Sequence, residues 1–313
     1  MNEDKMTSRL AAFRPMVTEL GTALKDFQNS QSNFRIFKTV YPSSRQPQNP
    51  SSPKGNDDAP KTIFILDSSF NPPSIAHQIL AQSALKKTAC QNFPGPYRLL
   101  LLFATVNADK APSAASFDQR LALMSIFAGD LLESLKQKSD EYHAVPVDIG
   151  VTTVPYYTDK SAYIEKEGQT WYPGKPKHIH LVGFDTLTRF FAAKYYQKFD
   201  PPFSALNPYF DAGHRLRVTL RPDDEYGSVD EQRAYVQRLA DGEMEKDGAK
   251  REWASQVELI PPNPRVGVSS TKIRRMAKAQ KWDEVQELMM PTVAEWVKSE
   301  RLYDEDDRGA KMA

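Results

Sequence analysis

Six short apolar segments recur between residues 62 and 260, and most of them are followed by a stretch with helical periodicity. The second segment contains an unbroken apolar run, as expected of a strand that is covered on both faces. Buried strands that alternate with helices are typical of parallel α/β sheets. We therefore predict an α/β fold with an open, doubly wound parallel sheet and helices on both faces. The predicted strands are 62–66, 98–106, 144–149, 178–184, 215–221 and 257–260.

The N-terminal part of the chain lies outside this alternation. Residues 8–27 carry one apolar helical face, and residues 34–40 alternate as a short strand or extended arm does. A helix packed on the main domain is favoured over a partner-binding helix. Residues 42–61 are rich in Pro, Ser, Asn and Gln, which is typical of a disordered linker or mobile loop. The predicted organisation is an N-terminal helix and arm at 1–41, a linker at 42–61, the main domain at 62–303 and a charged tail at 304–313.

Composition excludes several classes of function. The 313 residues include 41 basic and 40 acidic side chains, and this balance argues against a nucleic-acid or membrane binder. Cys90 is the single cysteine, so an intrachain disulfide is excluded and a reducing compartment is expected. We take this compartment to be the cytoplasm and leave the nucleus open. The start of the chain has no apolar signal-peptide core, and no apolar run is long enough to span a bilayer.

The segment that follows the first predicted strand combines features of an anion site. Ser68 and Ser69 are small enough for a ligand to approach the backbone, and Pro72 and Pro73 fix a turn. His77 falls near the start of the next helix, where unpaired N–H groups and the helix dipole favour a phosphate. On these residues alone, an ordinary proline-containing turn with a capping histidine is an equally good interpretation.

A second segment near the C-terminus has similar chemistry. Ser269, Ser270 and Thr271 open a predicted helix, and Arg274 lies one turn further on. Hydroxyl groups, free N–H groups and a guanidinium could therefore meet one anion. Such a cap with a nearby arginine is unremarkable by itself. Its occurrence after six alternating strands, together with the first segment, favours a functional site.

The two segments resemble the signatures of the nucleotidyltransferase superfamily, in the form found in nicotinamide and nicotinate mononucleotide adenylyltransferases. Residues 68–77, SSFNPPSIAH, are similar to the G-S-F-N-P-x-(T/H)-x-G-H form of the (H/T)xGH signature, with departures at Ser68, Ser74 and Ala76. Residues 266–275, VGVSSTKIRR, match the I-S-S-T-x-I-R element closely, and residues 291–303 resemble the closing P-x-x-V-x-x-Y-I … L-Y pattern. The layout most resembles the divergent fungal nicotinamide mononucleotide adenylyltransferase group.

The resemblance implies a Rossmann-like fold and adenylyl transfer from ATP to nicotinamide mononucleotide, giving NAD and pyrophosphate, with Mg²⁺ accompanying ATP. The implied catalytic residues are His77, Lys110 and Arg274. The implied ATP-binding residues are Ser69, Phe70, Ser74, His77, Gly183, Asp185, Ser269, Ser270, Thr271 and Arg274. The residues implied for the mononucleotide are Ser68, Ser69, Trp171 and Arg221.

Other interpretations stay open at this point. The departures at Ser68 and Ala76 and the additional N-terminus suggest an ATP-binding or ATP-hydrolysing regulator that acts through a protein partner on the N-terminal helix. Nicotinate mononucleotide or phosphopantetheine could also be the acceptor, whereas the P-loop motif G-x-x-x-x-G-K-[ST] does not occur. His178 and His180 share one strand face, but no third ligand follows at an obvious spacing, so no metal site is predicted.

Overall fold

The computed structural model describes residues 3–42, 59–105, 115–221 and 226–304. Within these residues the strands are β1 (Phe34–Val40), β2 (Thr62–Asp67), β3 (Tyr97–Ala104), β4 (Val147–Thr152), β5 (Lys177–Gly183), β6 (Arg215–Thr219) and β7 (Val257–Ile260). The helices are α1 (Glu3–Gln28), α2 (Ile75–Leu85), α3 (Lys87–Cys90), α4 (Phe117–Gln137), α5 (Tyr157–Glu167), α6 (Phe184–Phe190), α7 (Asn207–Asp211), α8 (Val229–Ala240), α9 (Ser270–Lys278), α10 (Trp282–Leu288) and α11 (Pro291–Ser299). Short 3₁₀ turns lie at Ala193–Tyr195, Pro202–Leu206, Glu245–Asp247, Arg251–Gln256 and Pro264–Gly267.

The seven described strands form one sheet in the order β1-β4-β3-β2-β5-β6-β7. All neighbouring pairs from β4 to β7 in this order are parallel, which confirms the predicted α/β fold with a doubly wound sheet. The boundary predicted for β4 is wrong, because the strand begins three residues later, directly after Pro146. Proline has no N–H to give to a ladder, so a strand starts more readily after it than through it.

The sheet is mixed, because the edge strand β1 runs antiparallel to β4. The arm predicted at 34–40 is therefore a strand of the main sheet. A buried polar network fastens it there: the Asp148 carboxylate accepts hydrogen bonds from Thr39 Oγ1 at 2.6 Å and from Arg98 Nε at 2.7 Å. Tyr172 also donates its hydroxyl proton to Asp148, at 2.8 Å. Three elements and one loop thus share one buried carboxylate.

The N-terminal helix α1 packs on the main domain, as the favoured interpretation expects. Met16, Leu20, Leu24 and Phe27 lie on one face of α1 and are buried in the largest apolar cluster. This cluster also contains residues from α4 and α11. The apolar face of α1 is therefore used inside the molecule. Residues 43–58 of the predicted linker and 305–313 of the predicted tail lie outside the described residues.

The central strands are covered on both faces. Phe64 and Leu66 of β2 point into the large cluster with α1 and α4, whereas Ile63 and Ile65 point to a smaller cluster that includes Ile164 of α5. This alternation is what side chains on opposite faces of a strand require. None of the helices that the structure describes is both long and apolar enough to pass through a membrane.

Candidate functional site

The loop that leaves β2 at its carboxyl end is tightly built. Ser68 N–H donates to Leu102 O at 3.1 Å, so the pairing of β2 with β3 continues into the loop. Phe70 is fully buried and has a left-handed backbone, with φ of 44°, a conformation that costs energy for a residue other than glycine. Its ring lies 5.1 Å from the ring of His77. The Phe70 side chain therefore anchors a strained turn directly against the histidine.

His77 occupies the third position of α2, and its ring is fixed through both nitrogens. The backbone N–H of Ser74 donates to Nδ1 at 2.9 Å, and Ser74 Oγ lies at the same distance from Nδ1. Since a backbone N–H can only donate, Nδ1 is the acceptor and a neutral ring carries its proton on Nε2. Nε2 lies 2.8 Å from Ser68 Oγ. The structure therefore presents an N–H donor of His77 to the loop that follows β2.

The second signature segment meets the first at this edge. Ser270 Oγ donates to Pro72 O at 2.9 Å, across 198 residues of sequence. Arg274 donates from Nη1 to Asn71 O at 2.8 Å and from Nη2 to Thr271 Oγ1 at 3.3 Å. The N-terminal ends of α2 and α9 thus lie side by side. Ser269 is the N-cap of α9, as its sequence position predicts.

Two residues that were not predicted from the sequence also donate hydrogen bonds to this loop. Arg120 of α4 donates from Nε to Ser69 O at 2.7 Å, and its guanidinium lies 4.0 Å from the Phe103 ring centroid. Burial lowers the pKa of Arg120 to about 10, so it stays charged at neutral pH. Tyr303 donates its hydroxyl proton to Asn71 Oδ1 at 2.9 Å. Hydrogen bonds to cationic groups reduce the negative potential of the loop carbonyls, which favours an anion in front of them.

A second group of predicted residues lies at the carboxyl end of β5. Gly183 is the N-cap of α6, and a Cβ atom at this position would lie only 2.6 Å from Asp185 Oδ1. Asp185 Oδ1 in turn lies 3.3 Å from Arg221 Nε. Gln232 fixes the backbone of Arg221 through two hydrogen bonds of 2.9 Å. A side chain at position 183 would therefore force the Asp185 carboxylate to move from its place beside Arg221.

A buried ion pair lies between these two groups. Lys160 Nζ contacts Asp67 Oδ2 at the end of β2, and the two side chains are 6% and 8% exposed. Tyr157 is next to this pair: burial raises its pKa well above the usual value, and the carboxylates of Asp67 and Asp185 add to the effect. Nothing in the sequence indicated that Lys160 is buried, because a lysine in an amphipathic helix is most often exposed.

The structure gives the packing of Trp171, another predicted ligand of the mononucleotide. Trp171 follows α5 and packs against the small cluster that contains Phe34, Ile36 and Tyr172, and its role as a mononucleotide ligand stays a prediction. The chain turns back after Gly168, whose carbonyl accepts the N–H of Trp171 at 2.9 Å, and this turn directs the indole to the cluster. Lys110 lies outside the described residues.

A surface cavity of about 320 Å³ opens beside the second signature segment. It is lined by Ser269 and Thr271 and by three cationic side chains, those of Lys272, Arg275 and Lys281. The remaining lining residues, Met276 and Ala279, are apolar, so the three cationic side chains border a partly apolar cavity.

A search against protein-family models finds none that matches the chain. The chain is 29% identical over 217 residues to a Schizosaccharomyces pombe (strain 972 / ATCC 24843) protein named "Putative nicotinamide mononucleotide adenylyltransferase". The alignment covers 69% of this chain and 75% of the relative. The chain is therefore similar in sequence, over most of its length, to a protein that carries this name. The resemblance predicted from the two signature segments is confirmed.

Two solved structures align over much of the chain at low similarity. Plasmodium falciparum nicotinic acid mononucleotide adenylyltransferase complexed with APC gives a TM-score of 0.44 at 14% identity, over 79% of this chain and 98% of that chain. Thermotoga maritima TmcAL bound with alpha-thio ATP gives 0.37 at 14% identity, over 77% and 56% respectively. At these TM-scores neither structure adds to the assignment.

Proposed function

We propose that this chain transfers the adenylyl group of ATP to nicotinamide mononucleotide, forming NAD and releasing pyrophosphate. The relationship to the S. pombe protein supports the reaction class. The observation that carries the proposal is the direct contact of the two signature segments, through Ser270 with Pro72 and Arg274 with Asn71. The two segments are about 200 positions apart, so local interactions along the chain do not explain why these two helices begin side by side.

The reaction needs no covalent intermediate with the protein. A phosphate oxygen of the mononucleotide forms a bond to the α-phosphorus of ATP, and the bond from this phosphorus to the bridging oxygen breaks. The electron pair of the broken bond leaves with pyrophosphate. Catalysis then consists of positioning and of stabilising charge on the phosphoryl oxygens. Mg²⁺ enters as part of the Mg–ATP substrate.

In this mechanism, different residues around the loop bind different phosphates of ATP. His77 Nε2–H donates to an oxygen of the α-phosphoryl group and gives up its contact with Ser68 to do so. Arg274 turns from the Asn71 carbonyl to the β- and γ-phosphates, which also meet the hydroxyl and N–H groups of Ser269, Ser270 and Thr271 at the start of α9. Lys110 keeps the catalytic role that the resemblance implies, and in this proposal it balances charge on the β- and γ-phosphates together with Arg274.

The nucleoside parts bind on either side of this centre. Gly183 and Asp185 contact the adenosine, and Arg221 contacts the mononucleotide. Ser69, Phe70 and Ser74 complete the wall around ATP, with Ser68 and Ser69 facing the mononucleotide. Trp171, which packs partly buried beside the small cluster, is kept as a predicted contact of the mononucleotide.

The regulator hypothesis is weakened by the position of α1. It required a free apolar helix face for a protein partner, and Met16, Leu20 and Leu24 of that face are buried in the main cluster. We therefore propose the transferase alone.

The test is pyrophosphate release from Mg–ATP with nicotinamide mononucleotide, nicotinate mononucleotide and 4′-phosphopantetheine offered separately. We expect release with nicotinamide mononucleotide and a fall of about 10²–10³-fold in kcat for His77→Ala, the usual cost of removing a transition-state donor. His143→Ala is the matched control, since His143 lies beside Tyr97 and away from the loop. Full activity in a folded His77→Ala variant would remove His77 from the mechanism. Phosphate release without any acceptor would favour the regulator.

A further inference from the structure

A second cluster of chemically active side chains lies at the amino ends of β5 and β6, opposite the loop after β2. It consists of Glu165 on α5, His178 at the second position of β5 and His214 directly before β6, and we name it the His–Glu cluster. Each residue offers one ligand atom, and these atoms all lie within 4.8 Å of one another. Sequence spacing could not reveal this group, because its members come from a helix, a strand and a loop.

His178 is the unusual member of the cluster. Its side chain is fully buried, and neither Nδ1 nor Nε2 has a hydrogen-bond partner within the described parts of the chain. Its ring stacks on the ring of His214, with centroids 4.1 Å apart and planes inclined by 5°. Buried polar groups are almost always paired, so an unpaired imidazole requires a physical explanation. An ion that binds one of these nitrogens would supply it.

His214 and Glu165 supply the other two donors. His214 Nε2 lies 3.2 Å from Glu165 Oε1, and His214 Nδ1 accepts the backbone N–H of His178 at 3.2 Å. The Glu165 side chain is 23% exposed, so an ion can reach the cluster from solvent. Burial, with a smaller contribution from Lys177, lowers the pKa of His214 to about 4. The imidazole is therefore neutral at pH 7, which is the form that binds metals.

We propose that the His–Glu cluster binds one divalent transition-metal ion, with Zn²⁺ as the best match. Two imidazole nitrogens and one carboxylate oxygen form a common zinc donor set, and water completes a four-coordinate site. Zinc–ligand bonds of about 2.0–2.2 Å place donor atoms roughly 3.3 Å apart in a tetrahedron, so the three side chains must close inward. The planes of the stacked His178 and His214 rings are inclined by only 5°, and the nitrogen lone pairs lie in these planes, so one ring must also rotate out of the stack before both nitrogens face one ion.

Coordination by His214 Nε2 requires a change of tautomer. Nε2 now faces the carboxylate, and a metal ion there takes the place of the Nε2 proton. The ring then carries its proton on Nδ1, so the hydrogen bond from the His178 N–H is the contact that opens. The bound ion would connect α5 to β5 and β6 on the side of the sheet away from the proposed catalytic loop. Its role is therefore structural.

The test uses the full chain, stripped with a chelator and then titrated with Zn²⁺ in competition with a chromogenic chelator. We expect one Zn²⁺ per chain and a rise in melting temperature. Co²⁺ in place of Zn²⁺ should give the visible absorption of a four-coordinate nitrogen and oxygen site. Absence of stoichiometric binding of either ion would overturn the proposal.

Matched variants locate the site. Glu165→Gln keeps the shape of the side chain and should weaken Zn²⁺ binding by about tenfold or more. Glu133→Gln, at an exposed position of α4, should bind as the wild type does. His178→Gln should remove the Co²⁺ absorption, and if this variant does not fold, Glu165→Gln decides alone. Wild-type affinity in Glu165→Gln would place any bound ion elsewhere and reject the His–Glu cluster.

Discussion

The hydroxyl group of Ser68 competes directly for the nitrogen that the proposed mechanism assigns to phosphate. Ser68 Oγ lies 2.8 Å from His77 Nε2, and glycine stands at this position in the signature that the segment resembles. A glycine cannot make this contact. ATP must therefore displace a hydrogen bond in this chain before it can use His77. Ser74 holds Nδ1 independently, so the ring keeps its orientation when the Ser68 contact is lost.

Replacing Ser68 by glycine should lower the KM for Mg–ATP. The net value of a neutral hydrogen bond is about 0.5–1.5 kcal/mol, so we expect a decrease of roughly 2- to 10-fold with little change in kcat. The KM for Mg–ATP is measured by initial-rate kinetics at saturating mononucleotide. Ser68→Ala is the control, because alanine also lacks the hydroxyl but keeps the bulk of a Cβ atom. A rise of KM in both variants would show that the hydroxyl contacts substrate.

At the scale of single residues, sequence reasoning found the groups that recur in a fixed order and missed those that act through tertiary contact. His77 and Arg274 belong to continuous segments whose residue types could be compared with known signatures. Arg120 contacts the Ser69 carbonyl from another helix, and nothing in its neighbours along the chain indicates that contact. The role of Trp171 stays a prediction, because an aromatic residue in a loop rich in Pro and Gly does not reveal which way the loop turns.

At the scale of elements, the loop after β2 depends on segments that are distant in sequence. Its carbonyl groups accept hydrogen bonds from α4 and α9, and the Asn71 side chain accepts one from Tyr303, just beyond α11. The strained backbone of Phe70 persists because the surrounding contacts determine it. Tyr303, near the C-terminus, therefore contributes to the shape of the proposed catalytic loop through its hydrogen bond to Asn71.

Tyr303→Phe should lower both stability and turnover by modest amounts. The variant loses the 2.9 Å hydrogen bond to Asn71 Oδ1, and the net contribution of such a bond to stability is about 0.5–1.5 kcal/mol. We expect a lower urea midpoint and a kcat reduced by several-fold. Tyr163→Phe, on α5, serves as the control for removing a tyrosine hydroxyl. Unchanged unfolding and unchanged turnover in Tyr303→Phe would show that the loop does not depend on this contact.

The strands of the parallel part could be predicted because burial on both faces leaves continuous apolar runs. The pairing of β1 could not, because alternation in residues 34–40 fixes the local conformation and not the partner strand. Its place beside β4 depends on the Asp148 carboxylate, which meets Thr39 and Arg98 only after folding. The sequence did not reveal the His–Glu cluster either, because its three residues also come together only after folding.

At the scale of the molecule, α1 and β1 extend the core of the α/β sheet. Leu24 of α1 is buried in the main cluster, whereas Thr18 on the same helix is exposed. Leu24→Ala should lower the free energy of unfolding by about 2–4 kcal/mol through lost burial and a residual cavity. Thr18→Ala should change it by less than about 0.5 kcal/mol. A single cooperative urea transition that shifts only for Leu24→Ala would support one core. An unaffected main transition would instead mean that α1 unfolds separately.

Acidification should destabilise the whole molecule through its buried histidines. Burial lowers the pKa of His178 and His180 well below 6.5 and that of His214 to about 4. Above pH 6.5 these rings are neutral in both states and do not make stability depend on pH. Between pH 6.5 and 4 these histidines bind protons in the unfolded chain but not in the folded chain. Stability therefore decreases as the pH decreases, by about 1.4 kcal/mol per pH unit for each such histidine.

Urea unfolding at pH 7.5, 6.5, 5.5 and 5.0, with a chelator present to exclude metal effects, measures this dependence. We expect little change between the two highest pH values and a steep decrease below them. His214→Gln removes one of the three titrating groups, so its slope between pH 6.5 and 5.0 should be smaller by about 1.4 kcal/mol per pH unit, whatever its stability at pH 7.5. Equal slopes in the variant and the wild type would mean that His214 is protonated in the folded chain, which the Glu165 carboxylate at 3.2 Å favours and which burial beside Lys177 opposes.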